Sequence, residues 1–320
     1  MTGTAGSVGE AVGIDVGGTK TAAARVGGDG NVLALETLPT PADDVDATLA
    51  TIVKAARAVM TPDVTGVGIA AAGLVEWGTG ELVFAPNLAW RQVPLTRYLT
   101  AELGVPVVAD NDNTAAAWGE YVFGAGRGFK DLLLVGVGTG IGGGIVSGGR
   151  LFHGAHGFAA EIGHIVMDPA GPFCGCGNRG CWEQLASGQA VTRAGRAAVQ
   201  KGAETALVEL TAGDQNRVTG PMVTHAARDG DAVSIAILAD VGHWLGVGIG
   251  GLVNILDPEI VVMAGGVVEA GDLLLDPARA AYRETVEAAE MRPDVPLVMA
   301  AFGNHAGVVG AAALVLEAPG

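Results

Sequence analysis

Short apolar runs, each broken by glycine, set the rhythm of the chain. Residues 11–16 are apolar apart from Asp15, Gly17-Gly18-Thr19-Lys20 interrupts them, and residues 21–26 resume the run, which predicts two strands joined by a tight turn. Gly27-Gly28-Asp29-Gly30 turns the chain into a third strand at 32–37. Apolar positions three and four apart then predict a helix over 46–60, followed by a strand at 67–71 that Gly73 closes. A second helix over 95–103 has Gly104 as its stop signal, and a strand at 105–109 delivers Asp110-Asn111-Asp112 to the mouth of a helix at 113–121.

The same rhythm restarts after the glycines of 124–128. A strand at 132–137, the turn Gly138-Thr139-Gly140, a strand at 144–147 and the turn Gly148-Gly149-Arg150 repeat the opening of the chain. Residues 154–183 break the pattern with His, Cys and Gly. Helices are predicted at 188–201, 220–228 and 232–256, a strand at 260–264 ends in Gly265-Gly266, and helices near 273–290 and 305–316 close the chain. This repeat predicts a duplicated α/β architecture of two domains, 1–122 and 123–320, with the last helix packing back on the first domain and a ligand cleft between the halves.

Composition narrows the function classes. No stretch holds the roughly 18 uninterrupted apolar residues of a bilayer span, and residues 1–10 lack a basic region followed by an apolar one, so the reading is a cytoplasmic chain. The formal charge of −16, with 18 cationic residues spread along the sequence, argues against nucleic acid and membrane surfaces as partners.

Two glycine turns carry candidate chemistry. A Gly/Thr turn between strands gathers backbone N–H groups into one concavity that bulky side chains would block, which suits a phosphate. In the first, Asp15 is placed to hold hydrated Mg²⁺, while Gly17 and Gly18 open the backbone and Thr19 and Lys20 offer a hydroxyl and an ammonium. A hairpin with a surface lysine fits the same residues. Gly138-Thr139-Gly140-Ile141-Gly142-Gly143 has dinucleotide-fold spacing, but a strand rather than a helix follows it, and no Gly-x-x-x-x-Gly-Lys-Ser/Thr occurs.

Cys174, Cys176 and Cys181 lie within eight residues and His164 precedes them by ten, the spacing of a closed Cys₃His zinc site. With no open coordination position, such a metal is structural. Glu161 and Glu183 flank the set, and carboxylates carried on a rigid metal loop are pre-organised to accept from sugar hydroxyls. Asp112 fits either a helix N-cap or a general base for phosphoryl transfer to a hydroxyl, and Asn111 beside it can fix a neighbouring hydroxyl.

Taken in order, Asp15-Val16-Gly17-Gly18-Thr19-Lys20-Thr21, Asn111-Asp112, Gly138 to Gly144, Glu161-Ile162-Gly163-His164 and the Cys174 to Glu183 knot resemble the ROK family (repressors, open reading frames and kinases), in particular its bacterial glucokinases. The resemblance covers nearly the whole chain. It implies an actin-like, ribonuclease-H-like duplicated fold, with two α/β domains around a cleft, and ATP-dependent phosphorylation of glucose in a homodimer or homotetramer, with ATP, Mg²⁺ and structural Zn²⁺. By position it makes Asp112 the catalytic base and assigns Asn87, Asn111, Glu161, His164 and Glu183 to the sugar. Gly138, Thr139 and Gly140 are assigned to phosphate, and Gly265 and Gly266 to the nucleotide pocket. Asp110 stands where relatives often carry Glu.

Three alternatives stay open. One is a kinase for another hexose or an N-acetylhexosamine, and another is polyphosphate as donor, which would favour a basic channel that this acidic chain lacks. The third is a sugar-sensing regulator, for which the phosphate turn at Asp15 leaves no room for a preceding helix-turn-helix.

Overall fold

The computed structural model describes residues 9–85 and 88–319. In chain order its strands and helices are β1 (Glu10–Val16), β2 (Lys20–Val26), β3 (Val32–Pro39), α1 (Val45–Val59), β4 (Val64–Ala71), β5 (Leu74–Val75), β6 (Leu82–Phe84), β7 (Arg91–Val93), α2 (Leu95–Leu103), β8 (Val107–Asn111) and α3 (Asp112–Val122). They continue with β9 (Leu132–Val137), β10 (Ile141–Ser147), β11 (Arg150–Leu151), α4 (Trp182–Ala186), α5 (Gly188–Gln200), α6 (Ala206–Thr211) and α7 (Gly220–Arg228). The last are α8 (Ala232–Leu256), β12 (Ile260–Ala264), α9 (Asp272–Thr285), β13 (Leu297–Met299) and α10 (Ala306–Leu316).

The duplication expected from the rhythm is visible in the sheets. One has the order β3-β2-β1-β4-β8 and the other β11-β10-β9-β12-β13, so each places its third, second, first, fourth and fifth strands side by side. In the first, β2 is antiparallel to β1 and β3, whereas β1, β4 and β8 run parallel. By contact density the chain divides into two compact units, one of residues up to Leu134 with Gly143–Ala160 and everything from Val298 on, the other of Val135–Gly142 and Glu161–Leu297.

Within the first unit, α10 lies on β1 and β4 and against α3. Its sequence, AGVVGAAALVL, is small and apolar throughout, which brings the helix backbone unusually close to the sheet. A Cβ at Gly13 of β1 would collide with the carbonyl of Val308, and one at Gly68 of β4 with that of Ala311. Gly310 meets the backbone of Ala115 on α3 in the same way, and the Trp118 indole N–H donates to the Glu317 carbonyl at 2.7 Å.

In the second unit, α8 is the long apolar element. By length and composition alone its 25 residues could cross a membrane, yet Leu238, Val241, Leu245, Ile249, Leu252 and Val253 are buried and the helix packs along α9. It is the core helix of its unit. Gly242 and Gly246, one turn apart, admit the carbonyls of Leu274 and Ala278.

The structure differs from the expected pattern in a few places. β8 runs two residues later than expected, because Pro106 cannot donate to the ladder and instead accepts from Val67 N–H. The helix expected near 273–290 ends at Thr285, where the chain turns extended at Val286. Strands β5 to β7, β11 and β13 and helices α4 and α6 lie outside the expected set, each two to six residues long. Such lengths carry too few periods to read.

Because the contact at Gly13 and Gly68 is backbone on backbone, no side-chain rotation can relieve it. Gly68→Ala is expected to lower unfolding free energy by at least ~2 kcal/mol, and Gly104→Ala, which meets no neighbour but has a left-handed φ of 73°, by ~1 kcal/mol or less. Urea denaturation of both variants checks the order, and equal costs would show that α10 does not sit at backbone distance.

Candidate active site

The parallel register of the first sheet fixes where its acidic residues fall. Asp15 of β1 and Asp110 of β8 both pair with Ala70 of β4, so the two lie at one level, two strands apart, with only a methyl group between them. Asp112 follows two residues after Asp110, at the first position of α3.

Asn111, not Asp112, caps that helix. Its Oδ1 accepts from the N–H groups of Asn113 at 2.9 Å and Thr114 at 3.2 Å, while its Nδ2 donates to the Gly73 carbonyl at 3.1 Å. The N-cap reading of Asp112 is therefore corrected: the cap already belongs to its neighbour. Asp112 Oδ1 accepts from the backbone and side-chain amides of Asn113 at 2.9 and 3.0 Å, and burial raises its pKa above the ordinary carboxylate range.

Asp15 is shifted in the same direction. Burial first, then the charge of Asp112, lift its carboxyl to about 6, against a smaller opposing pull from Lys20. The first turn of α10 adds to its enclosure, since a Cβ on Gly307 would lie 2.6 Å from Asp15 Oδ2. Beyond Asp15 the chain folds into the expected turn: Gly17 N–H donates to the Lys20 carbonyl at 3.0 Å, and Thr40 N–H donates to the Thr19 carbonyl at 3.1 Å. Thr19 and Lys20 are exposed. Two half-buried carboxylates that repel each other attract a cation, so the surroundings of Asp15 suit a hydrated divalent ion.

The second unit collects the other expected groups. The ligand atoms of His164, Cys174, Cys176 and Cys181 lie within 4.8 Å of one another. Cys176 and Cys181 Sγ atoms are 3.6 Å apart, as are Cys174 Sγ and His164 Nδ1. A tetrahedron with Zn–S near 2.3 Å and Zn–N near 2.0 Å has edges of about 3.5 to 3.8 Å, so the donor set fits zinc. The knot around it is tied by short backbone bonds: Cys174 N–H to the Asn178 carbonyl at 2.9 Å and Gly177 N–H to the Cys174 carbonyl at 3.0 Å. Trp182, fully buried, anchors it to α8, donating to the Trp244 carbonyl at 2.8 Å and lying over Gly248.

The flanking glutamates differ. Glu161 is half exposed, with an oxygen 3.9 Å from His164 Nε2, the ring nitrogen turned away from the cysteines. Glu183, on the first turn of α4, accepts from Cys174 Sγ at 3.0 Å and lies 3.9 Å from His164 Nδ1. Its other oxygen lies over Gly140, where a Cβ would displace the carboxylate. The Gly138-Thr139-Gly140 turn thus touches the metal knot through Glu183.

That turn also meets two further segments. Gly138 and Thr139 carbonyls accept from Gly188 and Gln189 at the start of α5, at 2.9 and 3.2 Å. Gly265, at a φ of +93°, sits on Val137, the residue before the turn, and Gly266 follows it, exposed. The structure thus brings together His164, the three cysteines, Glu183, Gly138 to Gly140 and Gly265 in one unit, and Asp15, the Gly17 to Lys20 turn, Asn111 and Asp112 in the other. Asn87 lies outside the described residues. Sequence reasoning misses His153 and Trp77: His153 Nε2 is 2.7 Å from Asp110 Oδ2, and its ring stacks on Trp77 at 3.7 Å and 11°. Neither residue belongs to a motif, so no sequence signal points to them.

Asp15 gives a pH test. Its folded pKa lies above its unfolded value, so the folded state holds the proton more tightly and stability is lost as pH rises from about 4 to about 6. Asp15→Asn should therefore stabilise the ligand-free protein at pH 8, by at most ~3 kcal/mol, with the gain fading towards pH 4. Melting curves at the two pH values check this, and a gain that grows at acid pH would refute it.

A profile of the ROK family matches residues 11–318. The chain is 42% identical over 315 residues to a glucokinase of Streptomyces coelicolor, covering 97% of this chain and 98% of that protein. Among solved structures it resembles a ROK family glucokinase from Streptomyces griseus in complex with glucose and AMPPNP, at a TM-score of 0.86 and 40% identity, over 96% of this chain and 99% of that one. It also resembles a ROK family transcriptional regulator, a homologue of the Escherichia coli MLC protein, at a TM-score of 0.87 and 27% identity, over 97% of this chain and 78% of that one. With the family profile spanning almost its full length, the chain belongs to the ROK family.

Proposed function

We propose that the protein is an ATP-dependent hexose kinase that converts glucose to glucose 6-phosphate. The observation that carries this reading is the presence, on a chain 42% identical to a glucokinase, of both glycine turns together with a half-buried carboxylate directly after the α3 cap. The solved relative that holds glucose and AMPPNP supports both the donor and the acceptor.

Asp112 serves as general base. Its Oδ1 is held by Asn113, and burial raises its pKa, which makes the carboxylate a stronger proton acceptor. It takes the proton from the attacking sugar hydroxyl as the P–O bond forms, with the reacting groups brought together by binding rather than by covalent chemistry. Glu161, His164 Nε2 and Glu183 accept from or donate to the remaining hydroxyls, and Asn87 and Asn111 add amide groups. The turns Gly17 to Lys20 and Gly138 to Gly140, with Gly265 and Gly266, receive the nucleotide and its phosphates. Asp15 would hold the hydrated Mg²⁺ that accompanies ATP, an ion that would supply neutralisation of phosphate charge.

Zinc would be held by His164, Cys174, Cys176 and Cys181, and its contribution is structural: it closes the knot that orients His164 and Glu183. The regulator-like neighbour supports a second reading, in which the same sugar site reports sugar levels to a partner. The presence of Asp112 and of both glycine turns favours the kinase, because recognition alone needs neither.

Two measurements test the assignment. Asp112→Asn keeps the shape of the side chain but cannot accept the proton, so kcat should fall about 10²- to 10⁴-fold with a modest change in glucose Kd. Near-normal turnover would remove the base. Cys176→Ala or a strong chelator should release one zinc per chain, seen by elemental analysis, and abolish glucose binding. Full activity in metal-free protein would overturn the structural role of the knot.

A further inference from the structure

Asp110 is a carboxylate of only 2% side-chain exposure that none of the assigned roles uses, and its partner His153 is 8% exposed. Asp110 Oδ2 pairs with His153 Nε2 at 2.7 Å, and Oδ1 accepts from the backbone N–H of Asn111 at 2.8 Å. Asn111 in turn caps α3, whose first residue is Asp112. His153 is itself held from the other side: Trp77 stacks on its ring, and Gly157 presses against the backbone of Val75 and Trp77, where no Cβ would fit. A continuous chain of contacts therefore runs from Trp77 through His153 and Asp110 to the peptide bearing the base, all within the first unit.

We infer that Asp110 and His153 are positioning residues that fix the direction of the Asp112 carboxylate by clamping the β8–α3 junction. This rests on the reading of Asp112 as general base. Stability alone is a poor account of the pair, because the desolvation of two buried charged or polar groups offsets most of their attraction, and apolar packing would hold the junction as well. Direction is what an apolar contact cannot supply. The carboxylate of Asp110 has one oxygen committed to each side, so the Asn111 peptide plane is set by a hydrogen bond whose acceptor is itself held still. A base displaced by about 1 Å loses on the order of 10²-fold in rate, which makes this rigidity worth retaining.

The test uses two variants chosen to separate packing from hydrogen bonding. His153→Phe keeps an aromatic ring on Trp77 but has no donor for Asp110, whereas His153→Gln keeps a donor at the place of Nε2. For ATP-dependent glucose phosphorylation, His153→Phe should lower kcat about 10- to 50-fold while KM for glucose stays within about threefold, and His153→Gln should recover kcat to within about threefold of the parent. In the Asp112→Asn background, His153→Phe should cost no more than about twofold, since the group it orients is gone. Normal kcat in His153→Phe, failure of His153→Gln to recover it, or full additivity with Asp112→Asn each overturns the positioning role while leaving the base intact. Near-normal kcat in Asp112→Asn alone sinks the base reading itself, and the two failures are told apart.

Discussion

Four donors that must come within bonding distance of one ion constrain the part of the chain with least else to hold it. Between Glu161 and Cys181 there are few large apolar side chains to bury, and Phe173, the largest, is exposed against Arg179. Hydrophobic burial cannot order such a segment. The convergence of His164, Cys174, Cys176 and Cys181 does so instead, with Trp182 as a deep anchor into α8. Glu183 follows that anchor directly and is thereby set between the knot and the Gly138 to Gly140 turn. Glu183 and the Gly138 to Gly140 turn are thus placed by one small local constraint rather than by the breadth of the core.

The first unit solves its placement problem through sheet register. Parallel strands β1 and β8 carry Asp15, Asp110 and Asn111 near their C-terminal ends, and small residues at Ala70 and Ala71 of β4 leave space beside them. Acidic groups so close to a core are costly, which is visible in the upward pKa shifts of Asp15 and Asp112. The rest of the unit offsets that cost by packing backbone on backbone: α10 against the glycines of β1 and β4, and against α3. An alanine- and glycine-rich helix gives a dense, rigid floor beneath the charged residues without bulky side chains that would fill their space.

Much of this is legible in the amino-acid sequence. Each Gly-rich turn follows an apolar run, so the strands, the duplication and the glycine turns can be read directly, and the spacing of the cysteines anticipates the cluster they form with His164. α2, α7, α8, β9 and β12 begin and end where periodicity and stop signals put them. Legibility fails where structure depends on partners distant in sequence. By residue type Asp112 fits a cap as well as a base, and what removes the cap reading is the side-chain direction of Asn111, which takes the cap itself. The pairing of Asp110 with His153, 43 residues away, has no period and no motif. The small sheet β5-β6-β7 leaves no trace in a pattern that needs four or more residues to register.

This contrast says something about how recognition and catalysis are encoded differently along one chain. Groups that bind phosphate or metal need only be close to one another, so glycine turns and local Cys/His spacing suffice, and they can be written into a few consecutive residues. A general base needs direction as well as proximity, because proton transfer weakens steeply as the hydrogen bond bends. Direction has to be imposed from at least two sides, which no local segment can do for itself. At the β8–α3 junction one side comes from the helix cap of Asn111 and the other from the buried carboxylate of Asp110, held by a histidine that arrives with a different strand and is itself held by a tryptophan from a third segment. The residues that matter for rate but touch no ligand are therefore to be sought in buried polar contacts between distant segments, where the sequence alone is least informative.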